Sequence, residues 1–501
     1  MDTSIVATSV FTIAIEFNSL ASTIWVVLAY TLADLSFAVI FARLSDFIGR
    51  RFAVLASFTI FIAFSIGGGF SKTIDQLIVC RTLQGVGGAG LYALALIIVV
   101  EVSTPQMVAY VSMMIGAAIA VAGVLGPLIG GLFTNYVTWR WIFWVNAPPG
   151  ALAALLFFIA WPQSSTEYKL LSFAQFDYIG SLLILAACVH FVFGLQTGGT
   201  GAYPWSSSIV VATIAVGCVC WILLFAWEYF VHRQQSKKPT AAIFPFHILK
   251  SRVMVAGILF TMLTGFILLL VVFSIPLRYQ IVNLKDPAQA GILLLPLLAS
   301  LAFGSFVGGA VSSKRNNTFQ TFVVAAAFMM LGCGLLSTLA SGIDVETKEY
   351  GFQILLGFGV GLTFSNISLM TSLESNQDDH AVTQGIIAQA RVLGGSIGVA
   401  ASNALFNSYA RSQLAGVLTP AQISDLQLST ASVQTLNAQQ AQAVRETYAS
   451  SFGESLRICL YLAVVCLVLS GFTWQRHPPD IGKLMADIAD RDARKAESAA
   501  A

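Results

Sequence analysis

Charge is what this sequence has least of. Lys, Arg, Asp and Glu make up 10% of its 501 residues, while 57% are hydrophobic; a soluble domain carries about 25% charged residues. So few charges exclude a protein held in water by an ionised surface and point to an all-α polytopic membrane protein. The net charge of +2 is too small for a nucleic-acid partner or a polybasic lipid anchor. Histidine is scarce too, at 5 residues, and the 7 cysteines form no CxxC pair. Cys80, Cys188, Cys218, Cys220, Cys333 and Cys466 fall in or beside apolar runs, so free, buried thiols are expected, with no metal site and no cofactor. HExxH and paired intramembrane His or Asp motifs are missing, which argues against an enzyme. The opening MDTSIV carries an acid and no basic region, so no cleavable signal peptide is expected.

Long apolar runs are what the sequence has in abundance. The first, 1–15, rises only about 22 Å as a helix against a hydrocarbon core of roughly 30 Å; part of helix one is expected upstream of Met1. Runs long enough to span follow at 25–42, 52–69, 77–100, 108–133 and 141–161, then at 178–195 and 209–229. After a basic, proline-containing segment, others lie at 253–276, 290–311, 321–339, 352–370, 382–406 and 458–474, about fourteen in all. The expected plan is a six-span bundle over 1–162, two extra spans over 163–231, a cytoplasmic linker over 232–252, a second six-span bundle over 253–476 and a tail over 477–501. When the spans alternate, Arg233, Lys237, Lys238, Lys250, Arg252, Lys314, Arg315 and Arg476 fall on the side of Arg50, which should be the cytoplasmic side. Both termini then lie inside. The polar stretch 408–454 lies outside, with a surface helix expected near 439–451. GGAVSSKRN at 308–316 takes in the second half the place that FARLSDFIGRR at 41–51 takes in the first, and paired halves are a transporter pattern.

FARLSDFIGRR concentrates charge between two apolar runs. Arg43, Arg50 and Arg51 resist crossing a bilayer, Gly49 allows a tight reversal, and Asp46 can accept hydrogen bonds from an arginine or a helix N-terminus. The stretch resembles the signature loop between the second and third helices of major facilitator superfamily transporters: Leu44, Asp46, Gly49, Arg50 and Arg51 match, and Ala42 stands where that family has Gly.

Further motifs carry the same resemblance. RTLQGVGGAGLY at 81–92 puts Arg81, Gln84, Gly85, Gly88 and Tyr92 on one helical face. An arginine there either is bonded to backbone carbonyls or meets a wet cavity or an acid. The stretch resembles the family's fourth-helix motif, whose arginine is implicated in proton coupling. In GAAIAVAGVLGPLIGG, Gly116, Ala120, Gly123, Pro127 and Gly130 form a small-residue stripe that packing alone would explain. With Gly126 and Gly131 it resembles the antiporter signature of the drug:proton branch, and WRWIFWVNAPPG at 139–150 resembles the segment that follows it in fourteen-span members. MDTSIVATSVFTIA resembles that group's first-helix motif through Asp2. Asp34 is a second carboxylate within a span, either a packing residue or a proton site. QARVLGGSIGVAAS places Arg391, Gly394, Gly398 and Ser402 on one face and resembles the family's Arg–Gly–Gly helix; structure and substrate contact are equally open there. Glu101 and Glu374 at cytoplasmic helix ends either form a gating salt bridge or are merely solvated, and solvation is the expectation.

The resemblance covers about 2–474 and implies the major facilitator fold, with two six-helix bundles, two extra central helices and a truncated first helix. It implies export of hydrophobic or amphipathic compounds, drugs or toxins, in exchange for protons by alternating access. Arg81 would couple protons with one of two acids, Asp2 on the resemblance or Asp34 on its depth in the span; Asp46, Gly49, Arg50 and Arg51 would form a cytoplasmic gating loop; Gln84, Tyr92 and Arg391 would face the substrate. The expected partners are a small molecule, protons and the bilayer, for a monomer in the plasma membrane or, as an alternative, the vacuolar membrane. Two other readings stay open: a carrier of a small polar solute such as a basic amino acid or polyamine, and a non-transporting sensor on the same fold.

Overall fold

In lipid no water satisfies the backbone, so an apolar run must close its hydrogen bonds within itself as a helix. The computed structural model describes residues 20–102, 136–161, 172–199, 203–234, 240–285, 287–312, 315–375, 379–419 and 436–479, with isolated positions in 5–17, 114–134 and 422–423. Among these, 12 helical stretches are long and apolar enough to cross a membrane. The principal helices are α1 (Leu20–Ile48), α2 (Arg50–Gly69), α3 (Ile74–Val102), α4 (Ala147–Ala160), α5 (Tyr178–Gly199) and α6 (Ser208–Gln234). They continue as α7 (Arg252–Ile281), α8 (Leu295–Val311), α9 (Thr318–Leu336), α10 (Lys348–Glu374), α11 (His380–Gln413) and α12 (Ala438–Phe472). Two expected spans, 1–15 and 108–133, lie largely outside the described residues, and the expected total of fourteen rests on them.

In the first half α3 packs along α1 and α2. A Cβ at Gly85 would come within 2.5 Å of the Tyr30 carbonyl oxygen, so glycine there lets α3 lie directly on the α1 backbone, where dispersion replaces the hydrophobic drive that lipid does not provide. In the second half α10 fits between α8 and α9, and α7 packs on α11. The extra helix α5 touches both halves, through α1 on one side and α11 on the other. Trp25 of α1 stacks on Phe193 of α5 at 5.1 Å. The Gln196 amide donates to the Ser396 carbonyl at 2.9 Å, and Asn407 donates to the Gly199 carbonyl at 2.7 Å. Its companion α6 exposes Ile209, Val211, Val219, Ile222 and Leu223, an apolar face suited to lipid.

Two expectations change. The polar stretch 408–454 is in part helical: α11 runs on to Gln413, and α12 starts at Ala438, so the expected surface helix and the last span are one element of 35 residues. Asn437 and Gln440 cap its start reciprocally, and from Ala438 to Phe452 no Gly or Pro interrupts good helix formers. At about 1.5 Å per residue it is about 52 Å long, well beyond the hydrocarbon core. Second, all seven cysteines are free, and Cys188, Cys333, Cys459 and Cys466 are buried, but Cys218 is exposed on α6 and Cys80 and Cys220 are half-buried.

Candidate functional site

The loop between α1 and α2 is built as a charge cluster. Gly49 takes φ 85°, a left-handed conformation that suits glycine, and this turns the chain so that Arg50 folds back over the last turn of α1. Arg50 Nη1 donates to Asp46 Oδ1 at 2.7 Å and also to the Ser45 hydroxyl. Asp46 Oδ2 accepts from Arg43 Nη1 at 3.2 Å. Arg43 reaches beyond its own half: its Nη2 pairs with Asp379 Oδ1 at the start of α11 at 3.0 Å, and its Nε donates to the Ala242 carbonyl at 3.0 Å. Its side chain is 3% exposed, so the pair is little screened by solvent. Arg51 instead lies over the Phe158 ring at 4.4 Å and donates to the Phe158 carbonyl at 3.2 Å. Arg43 is thus the centre of a latch tying α1, the segment before α7 and α11.

Deeper in the first half, Arg81 is fully buried on α3. Its Nε donates to the Val26 carbonyl at 3.0 Å, Nη1 donates to Gln84 Oε1 at 2.9 Å, and the guanidinium lies 4.2 Å from the centre of the Tyr30 ring. The Gln84 amide passes the network on to the Ser65 hydroxyl at 3.1 Å, which also accepts from Asn146 Nδ2 at 3.2 Å and donates to the Phe143 carbonyl at 2.8 Å. The Tyr30 hydroxyl and the Asp34 carboxylate both border the bare face of Gly88: a Cβ built there would lie 2.6 Å from the hydroxyl and 3.4 Å from Asp34 Oδ1. Arg81 packs on the Tyr30 ring, and Tyr30 and Asp34 both border α3 at Gly88. A cation, a phenol and a carboxylate thus share one intramembrane interface, where ionisable groups are a functional hypothesis by default.

The other expected residues lie elsewhere. Tyr92 is half-buried one turn beyond Gly88 on α3. Arg391 is buried in the second half, its guanidinium 3.8 Å from the Phe364 ring centre; it belongs to a different bundle from Gln84 and Tyr92. Asp2, Gly116, Gly123, Pro127 and Gly131 lie outside the described residues, while Gly126 and Gly130 are helical and buried. Glu374 accepts from Gln475 at 2.8 Å and from the Ser251 hydroxyl at 3.4 Å, so it joins helix ends and is not merely solvated. Asp379, Ser65 and Asn146 were not singled out by sequence reasoning. Each is a single polar residue without a motif, and Asp379 meets Arg43 across 336 residues of chain.

At the opposite end from the latch, Glu16 accepts from Trp139 Nε1 at 2.5 Å and pairs with Arg140 Nη1 at 2.7 Å. Partial burial pushes the Glu16 carboxyl up, but the hydrogen bonds from Trp139 and Arg140 and the Arg140 charge outweigh it and leave it below its ordinary value. The WRW segment thereby fastens the beginning of the chain to the turn before α4.

Comparison with known proteins places this arrangement. The Major Facilitator Superfamily pattern matches residues 1–399. The MFS-type transporter FPY5 of Fusarium mangiferae is 32% identical over 490 residues, covering 95% of this chain and 81% of that protein. The rubrofusarin-specific efflux pump aurT of Gibberella zeae is 31% identical over 83% of this chain and 75% of its own. Multidrug resistance protein 3 of Bacillus subtilis is 29% identical over 73% and 68%. Among solved structures, an inward-facing bacterial homolog of the human lysosomal transporter Spinster covers 95% of each chain with a TM-score of 0.56 at 14% identity, a likeness of fold alone. The chain belongs to the Major Facilitator Superfamily and is an integral, multi-pass membrane transporter of small molecules, not an enzyme.

Proposed function

We propose that this protein exports hydrophobic or amphipathic small molecules, drugs or secondary metabolites, in exchange for protons by alternating access of its two halves. The observation that carries the reading is the α1–α3 interface, where buried Arg81 packs on the Tyr30 ring and Tyr30 and Asp34 both border Gly88. Antiport needs a group that changes charge during the cycle, and a carboxylate near an arginine does so when the cavity around it dries or wets. The latch supplies the second requirement, a contact between halves made of ion pairs that can break. By the distribution of Lys and Arg, the latch end is cytoplasmic. Relatives named as a rubrofusarin-specific efflux pump and as a multidrug resistance protein support export of drugs or secondary metabolites.

The test is efflux of a panel of lipophilic dyes and fungal aromatic metabolites from cells expressing the chain, repeated with the proton gradient collapsed. Efflux that stops with the gradient is expected. Flux of a basic amino acid or a polyamine without any dye efflux would overturn the substrate class, and ligand binding without flux would overturn transport.

A further inference from the structure

Two carboxylates outside the proposed coupling site face each other at the base of the extra helix pair. Asp177, 2% exposed, precedes α5; Glu228, fully buried, lies near the latch end of α6. Asp177 Oδ1 accepts the Gly180 N–H at 2.8 Å and the Trp227 indole N–H at 2.9 Å, and Glu228 Oε1 accepts the Phe244 N–H at 2.8 Å. The remaining oxygens, Asp177 Oδ2 and Glu228 Oε2, have no protein donor among the described residues, although the two side chains lie within hydrogen-bonding reach of one another. The fit is close, for a Cβ at Gly180 would come 2.2 Å from Asp177 Oδ2. Two buried acceptors that meet without a donor are satisfied together only when one carries a proton.

Local structure decides which one. The Asp177 carbonyl accepts from Ser181 N and its side chain accepts from Gly180 N, the pattern of a helix N-cap, where exposed N–H groups and the helix dipole favour a carboxylate. Glu228 has no such support. We propose that Asp177 and Glu228 form a proton-binding site in the extra helix pair, with the proton on Glu228 donated to Asp177 Oδ2, and that release of this proton loosens the Arg43 latch. The link is short. Glu228 holds the Phe244 N–H, two residues after the Ala242 carbonyl that Arg43 grips, and Ala241 N donates to the Gln175 carbonyl at 2.7 Å, two residues before Asp177. Phe47 of α1 meets Phe173 and Phe176 in the same turn, at 5.6 and 5.3 Å. Among the described residues, the charged groups around the pair are Arg43 and, through Arg43, Asp46 and Asp379. A second negative charge in the pair competes with Asp379 for Arg43. The site stands apart from the export reading, because the proton can be observed without any substrate.

The test uses the full-length protein in lipid nanodiscs. The infrared spectrum of the wild type minus that of Glu228→Gln, in which the amide can donate to Asp177 without a titratable proton, should show a protonated-carboxyl band that disappears reversibly as pH rises. Asp177→Asn should move the pH at which that band disappears. For the latch, the maleimide labelling rate of the thiol in Val382→Cys, a buried position one turn after Asp379, is read by mass spectrometry. Its ratio to the rate in Val382→Cys/Glu228→Gln should rise at least severalfold with pH. No difference band at any pH would overturn the proton site, as would stabilisation by sodium or potassium over choline at equal ionic strength in its place. A band with a flat labelling ratio would overturn the coupling to the latch while leaving the proposed export untouched.

Discussion

The loop 43–51 and the loop 308–316 hold corresponding places in the two halves, and they are fastened by different chemistry. The first is tied by charge: Arg50 to Asp46, and Arg43 to both Asp46 and Asp379 across the halves. Among the described residues the second is tied by amides: Asn316 donates to the Pro479 carbonyl at 3.2 Å, Asn317 to the Val311 carbonyl at 3.1 Å, and Asn366 to the Thr318 carbonyl at 2.9 Å. Arg315 is exposed. Amide bonds to backbone hold one half to itself and do not depend on the charge of a neighbour. An arginine shared among two carboxylates and a carbonyl is sensitive to any charge that appears beside it, which is what the proposed alternating access needs of a contact between halves.

Arg43→Ala should break this contrast most. Removing one member of a buried, hydrogen-bonded ion pair costs about 3–5 kcal/mol. The latched state should lose most of its population, and maleimide labelling of the thiol in Val382→Cys should become fast at every pH, whereas unchanged labelling would remove Arg43 from the gate. Asn316→Ala should cost about 1 kcal/mol, the worth of a net neutral hydrogen bond, lowering Tm while labelling stays as in the wild type. Arg315→Ala should shift stability by no more than about 0.5 kcal/mol, as an exposed substitution does; a loss comparable to Arg43→Ala would show that the two loops are equivalent after all.

How far the sequence carried the account follows the same division. The helices were legible because apolar runs bounded by charge have one solution in lipid, and the latch loop was legible because its cations stand between two such runs. The partner of Arg43 was not, since Asp379 is an ordinary acid at a helix start and only the packing of α11 on α1 brings it near. Glu228 was hidden within an apolar run, where one acid does not change the hydropathy pattern. The joining of 439–451 to the last span was missed because polar, good helix-forming residues look like a surface helix until the capping box at Asn437 and the unbroken run beyond it are seen together.

A comparably small effect belongs to the far end of the first half. Glu16→Gln should cost about 0.5 kcal/mol, because the pair with Arg140 is partly solvated and screened. The wild-type carboxyl is held below its ordinary value, so the stability it adds is present above the usual carboxylate range and is lost as pH falls through the lowered value. A Tm difference between wild type and Glu16→Gln that persists undiminished at low pH would contradict this.

The central claim, export driven by protons through the Arg81–Tyr30–Asp34 interface, is tested most directly in sealed vesicles under an imposed pH gradient. Uphill transport of a dye that the wild type exports is measured for Arg81→Ala and Asp34→Asn beside equilibrium binding of the same dye. The account predicts that gradient-driven transport is abolished in both variants while binding persists. Full gradient-driven transport in both would contradict it.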